Sequence, residues 1–208
     1  MKKGQAEIIS AILIILIALT LLSVGYFYLR PILEKRKDTA IVERVKNAFD
    51  QSSSVSLPTK IESVAKLGGE EVFSLDVSGA WILNEIEDSI QFSFLSKVTN
   101  IAENIGWISL TSGASCPPSK GTVGIDRISV VCVRADKIGD RYNITYKVWY
   151  RVLEEPITGR QHKIDLIKHP AGTTYSTSKS LKIIKGETRE TIVNGKTLIL
   201  TEVKILLV

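Results

Sequence analysis

Between Ile8 and Leu29 the chain reads IISAILIILIALTLLSVGYFYL, a run of 22 residues without a charge. Its polar interruptions are Ser10, Thr20, Ser23 and the hydroxyls of Tyr26 and Tyr28. Coiled as a helix at about 1.5 Å per residue, the run reaches about 33 Å, enough to cross a hydrocarbon core roughly 30 Å thick. This stretch sets the plan of the whole molecule, because an apolar helix of that length argues against an ordinary soluble cytosolic protein. The small-x-small step Ser23-Val24-Gly25 offers a secretory cleavage point, but the apolar region before it is at or beyond the upper length of a signal peptide.

Charge sorts around the run. Of the 27 basic residues, Lys2, Lys3, Arg30, Lys35, Arg36 and Lys37 flank it, against only Glu7, Glu34 and Asp38 of the 22 acidic ones. Of the formal net charge of +5, the flanks of the apolar segment therefore carry +3 and residues 39–208 only +2. No basic stripe interleaved with aromatics follows, so the footprint of a nucleic-acid binder is missing. A basic flank on the C-terminal side argues for a cytoplasmic C-terminus by the positive-inside rule, and Lys2 and Lys3 argue the reverse.

The opening residues Lys2-Lys3-Gly4-Gln5, a glutamate at Glu7 and the uninterrupted apolar run resemble the class III leader of archaeal type IV pilins and related pseudopilins. The resemblance covers about the first fifty residues. It implies that a prepilin-type peptidase cuts between Gly4 and Gln5 on the cytoplasmic face and leaves the apolar helix in the mature subunit. It also makes Glu7 a candidate for helix assembly, although Glu7 lies three residues past the cut and the family's glutamate usually lies five past it. The implied partners are membrane lipid, the peptidase, and copies of itself or other pilin-like subunits.

Beyond the run, Pro31 is placed to kink a helix. Ile32, Leu33, Ala40, Ile41, Val45, Ala48 and Phe49 then recur at three, four and seven spacings among charged residues, the pattern of an amphipathic helix. Near Gln51 the pattern stops, and Ser52-Ser53-Ser54-Val55-Ser56-Leu57-Pro58 reads as a loop. The organisation expected is a leader over 1–4, a transmembrane helix over 5–30, a stalk helix over 31–51, a loop over 52–58 and an extracytoplasmic β-rich domain over 59–208.

In that last region period-two runs take over. Tyr142 to Val152 alternates Tyr142, Ile144, Tyr146, Val148, Tyr150 and Val152 on one face with Asn143, Thr145, Lys147, Trp149 and Arg151 on the other, the pattern of a strand with one buried face. Ile128 to Val133 runs toward it through a turn over Ala135–Asp140. Thr191-Ile192-Val193, Asn194-Gly195 and Lys196-Thr197-Leu198 carry the type I′ hairpin signature. Further strands are expected over Glu71–Val77, Trp81–Ile86, Ile90–Leu95 and Trp107–Leu110. The C-terminal run Leu198–Val208, apolar on both faces for much of its length, is expected between other strands or against the helix near Ile41, Val45 and Phe49. The fold class expected is α+β, a long N-terminal transmembrane and stalk helix followed by a mostly antiparallel, pilin-like β domain.

Chemistry is sparse. Cys116 and Cys132 leave two readings open, one disulfide in an oxidising exterior or two buried free thiols. Asn143-Ile144-Thr145 is an N-glycosylation acceptor. His162 and His169 flank a strand in which residues three or seven apart face opposite ways, so they and Asp165 do not assemble a metal site. Glu85, Glu87 and Asp88 read as a solvated turn. There is no phosphate loop, dinucleotide fingerprint or nucleophile elbow. No catalytic residue, metal or cofactor is therefore expected, and no enzyme activity. The function expected is a membrane-anchored structural subunit assembling through its N-terminal helix into or alongside a surface filament, with the N-terminus cytoplasmic. The alternative is a non-assembling single-pass surface protein whose β domain binds a protein or glycan partner.

Overall fold

The computed structural model describes residues 2–103 and 105–207, with side chains described from Ile12 onward. Gly4, Gln5 and Glu7 are helical in their backbone, and their side chains lie outside the described residues.

Helix α1 (Lys2–Ala48) contains Pro31 without ending there. Helix α2 (Leu57–Leu67) follows. The strands are β1 (Glu70–Ser74), β2 (Ala80–Asn84), β3 (Ser89–Ser96), β4 (Ile108–Ser109), β5 (Gly121–Thr122) and β6 (Ser129–Ile138). They continue with β7 (Arg141–Tyr150), β8 (Leu153–Glu154), β9 (Gln161–Lys168), β10 (Tyr175–Ser176), β11 (Ser180–Val193) and β12 (Lys196–Leu207). An apolar N-terminal helix followed by a mostly β domain is thus an α+β arrangement. The chain divides into two compact units, 1–40 and 41–208.

In the first unit one helix is long and apolar enough to cross a membrane. From Ile12 to Leu29 nearly every side chain is exposed, including Leu21, Leu22, Phe27 and Tyr28. Thr20 and Ser23 turn their hydroxyls back onto the carbonyls of Leu16 and Leu19, at 2.6 and 2.8 Å, which removes two polar groups from the helix surface.

The second unit holds two sheets of six strands. One runs β1-β11-β12-β9-β8-β5 and the other β10-β2-β3-β7-β6-β4. Pairing is antiparallel except for β12 with β9, from Leu198↔Gln161 to Ile205↔Lys168, and the short β5 with β8. The C-terminal run therefore lies between β11 and β9. At the tip of β11 and β12, Asn194 and Gly195 carry φ of 51° and 76° between the paired Val193 and Lys196, the geometry that a type I′ turn requires.

The core joins the inner faces of both sheets to the last turns of α1 and to α2. Val42, Val45 and Phe49 fall on one helical stripe and are buried. The amphipathic pattern expected from Ile32 onward is buried only in this last part, since Ile32 and Leu33 stay exposed. Phe49 stacks between Trp81 and Tyr146, and Trp81 also meets Phe73 and Phe92.

Three expectations need correction. The loop assigned to 52–58 ends at Ser56, where α2 begins; Pro58 in its first turn fits a helix start, and Leu57, Ile61, Val64 and Ala65 supply its buried stripe. The turn assigned to Ala135–Asp140 is narrower, because β6 pairs as far as Ile138↔Arg141 and only Gly139 and Asp140 lie between. Strand β7 is not one-faced. Thr145, Lys147 and Trp149 are buried too, as are Ile144, Tyr146, Val148 and Tyr150 on the opposite face, because chain from outside the hairpin covers the second face.

Candidate functional site

The covered second face of β7 is where the molecule concentrates its unusual chemistry. The register places Cys132 of β6 opposite Lys147 and Val130 opposite Trp149. Cys132 is bonded to Cys116, with the two Cα atoms 6.4 Å apart, so the loop that precedes Pro117 and Pro118 is tied down onto β6. Trp107, just before β4, packs edge-on against Trp149 with ring centroids 5.3 Å apart. Val130, Cys132 and Trp149, with Trp107, Ala114 and Cys116 beside them, form a small apolar cluster separate from the main core.

Cations crown this cluster. The Lys147 ammonium lies 4.1 Å from the Trp149 ring centroid and 5.8 Å from that of Trp107. The Arg134 guanidinium lies 5.1 Å from the Trp107 ring. Such contacts let a cation shed water against the negative face of an indole. Lys147 is also ion-paired with Glu87, which explains how an ammonium can be about nine-tenths buried. Beside these groups opens a cleft of about 510 Å³, with Trp107, Pro117, Pro118, Lys120, Arg151 and Lys163 among its lining residues.

Beside the cleft lies a second cluster. The carboxylates Glu85, Glu87 and Asp88 do share the turn between β2 and β3, but the turn is not uniformly solvated. Asp88 is buried, with a φ of 46°, and pairs with Lys163 of β9. Its Oδ1 has no hydrogen-bond partner from a donor group. Glu85 accepts the backbone N–H of Lys168, and this anchors the turn along the edge of β9. Burial raises the Asp88 carboxyl to about 6, and the neighbouring Asp165 carboxylate, which accepts a hydrogen bond from the protonated Asp88, pushes in the same direction against the pull of Lys163.

A folded-state pKa of about 6 stands above the ordinary 3.8, so the folded state holds the proton more tightly than the unfolded chain. The resulting stabilisation is complete below the unfolded pKa and is lost as pH rises through the folded one. Paired surface acids act oppositely. Asp76, hydrogen-bonded by Lys179, and Glu154, hydrogen-bonded by Lys196, are both lowered and favour folding at higher pH. Asp88→Asn mimics the protonated side chain and suits a positive φ. The variant is expected to match the parent near pH 4 and to melt higher than it at pH 8; equal melting temperatures at both values would show that Asp88 carries no such proton.

The remaining sequence candidates lie elsewhere. His162 is hydrogen-bonded to Glu155 at 2.8 Å, and Glu155 is held below the usual range by Thr158 first and His162 second. His169 Nδ1 accepts the backbone N–H of Ala171. Among the described residues no group of three His, Cys, Asp or Glu side chains is gathered to hold a metal ion. Asn143 is half-buried on β7, paired with Leu95 on one side and Asp136 on the other, in a separate depression that includes Arg141 and Lys179. Sequence reading missed Trp107, Lys147, Lys163 and Asp165 as a group. The available signal was Trp149, a large aromatic on the face assigned to solvent.

Comparison of the chain with protein-family models, with curated proteins and with solved structures finds no match in any of the three.

Proposed function

We propose that this chain is a pilin-like or pseudopilin-like structural subunit, cut by a prepilin-type peptidase between Gly4 and Gln5 and then assembled through its N-terminal helix into or alongside a surface filament. The observation that carries the reading is the exposed apolar surface of α1 from Ile12 to Leu29, directly behind a Lys2-Lys3-Gly4-Gln5 leader. Contiguous apolar surface of this extent is not left in water. Lipid covers it before assembly, and the helices of neighbouring subunits cover it afterwards, each Å² removed from water contributing about 25 cal/mol. Glu7, at the edge of the apolar run, is the helix-assembly candidate, an acid that needs a polar partner or water there. In this reading the N-terminus is cytoplasmic, the β domain is extracytoplasmic and the role is structural rather than catalytic.

The test is the intact mass of the protein recovered from membranes. A chain beginning at Gln5 supports the proposal, and Gly4→Val is expected to leave the full-length precursor as essentially the only species. Normal processing of Gly4→Val, or a native chain that still begins at Met1, would sink it. A start at Met1 would leave a single-pass anchored protein whose β domain acts alone.

A further inference from the structure

We propose that the cleft between Trp107, the Pro117-Pro118 loop and the end of β7 is a binding site for an acidic saccharide, a sugar ring bearing a carboxylate. The proposal goes beyond the filament reading and stands whether or not the chain is cut after Gly4, because every residue it uses belongs to the unit 41–208.

Size and rigidity come first. At about 510 Å³ the cleft falls in the range of small-ligand sites. Its walls are held in place before any ligand arrives: the disulfide fixes the loop before Pro117, and the edge-on pair of Trp107 and Trp149 fixes the indoles. A site built in advance spends little of its binding energy on ordering itself.

The apolar walls are flat. The half-buried Trp107 indole and the Pro117 and Pro118 rings offer planar or puckered surfaces of the kind that pack on the C–H face of a pyranose. A flexible aliphatic ligand would not need rings, and the aliphatic side chains suited to hold one are few here.

Charge selects the class of sugar. Lys120, Lys147, Arg151 and Lys163 line the cleft against the single acid Glu87. The partners of two of them, Asp126 for Arg151 and Asp88 for Lys163, sit outside the lining. Arg151 is 6% exposed and is held in place: its Nε donates to the Arg127 carbonyl at 2.8 Å, and its Nη2 is ion-paired with Asp126 at 3.2 Å. A ligand carboxylate reaches the exposed Lys120 ammonium in a lining that holds four cations and one acid, and Glu87 remains to accept from ring hydroxyls. A neutral sugar would satisfy the flat walls and leave the exposed Lys120 unanswered. An acidic peptide would satisfy the cations and leave the rings bare.

The test uses the full chain in detergent micelles, titrated with tetragalacturonate, maltotetraose and a tetraglutamate peptide, with tryptophan fluorescence and calorimetry as readouts. Tetragalacturonate is expected to bind and to perturb the fluorescence, at least tenfold more tightly than either comparison ligand. Lys120→Glu, on an exposed side chain, is expected to weaken that binding by about tenfold, the size of one charge-assisted hydrogen bond, with an unchanged melting temperature. Trp107→Ala is expected to weaken it further, and Lys120→Glu decides the matter if the alanine variant does not fold. Equal affinity for maltotetraose, preference for tetraglutamate, no binding of tetragalacturonate at millimolar concentration, or binding indifferent to Lys120→Glu would each overturn the proposal.

Discussion

Removal of Ile205–Val208 is expected to abolish cooperative folding of a soluble fragment that starts at Asp38. Ile205 and Leu207 are fully buried, and both belong to the main core with Val203, Ile183 and Leu181. Losing a buried aliphatic side chain costs about 2–5 kcal/mol, so two of them remove a large share of the 5–15 kcal/mol that a domain typically has. Backbone pairing goes with them. The carbonyl of Ile205 accepts from His169 N at 2.9 Å, and that of Leu207 from Thr173 N at 3.0 Å, so the loop after β9 loses its anchors. Strand β11 would gain an unpaired edge over Leu181, Lys182 and Ile183 beside apolar side chains, an invitation to aggregation. Circular dichroism on heating and sedimentation velocity read the result. Leu206→Ala, at a half-buried position, is the milder comparison. A truncated fragment that melts within about 2 °C of its parent would show the end of β12 to be peripheral, since 1 kcal/mol moves the midpoint of a domain this size by about 2–4 °C.

Local chemistry made some of this architecture readable and long-range contact hid the rest. Asn194-Gly195 prescribes its own turn, so the β11–β12 hairpin needs no information from elsewhere in the chain. The apolar run before Leu29 likewise declares itself by length. The alternation in β7 identified a strand correctly, yet periodicity records only what a residue is, not what another segment lays over it. Lys147 and Trp149 are buried by Trp107 and by the disulfide loop, which arrive from distant sequence and carry no period of their own. Asp88 escaped for the same reason, because its burial depends on β9 running past the turn. Helix α2 was concealed by the serines before it, and a parallel pairing such as β12 with β9 has no local signature at all.

Phe49→Ala is expected to produce the largest loss of any single substitution at the end of α1. The side chain is 1% exposed, with its ring 5.2 Å from Tyr146 and 6.2 Å from Trp81. Neither neighbour is free to fill the gap: Trp81 is tilted against Phe92 at 4.5 Å and donates its indole N–H to the carbonyl of Ser178, and Tyr146 is fixed by strand pairing on both sides. Truncating a buried phenylalanine costs about 3–5 kcal/mol when the site cannot collapse, which corresponds to a fall in melting temperature of about 6–20 °C in the fragment starting at Asp38. A double-mutant cycle with Trp81→Phe is expected to show coupling of about 0.5–1.5 kcal/mol, the part that belongs to the ring pair rather than to buried area. In the full-length protein Leu22→Ala, in the exposed apolar run, should leave the melting of the β domain unchanged. If Phe49→Ala lowers the midpoint by less than about 2 °C, the last turns of α1 are not part of the folding unit, and the domain's structural start moves to α2 at Leu57.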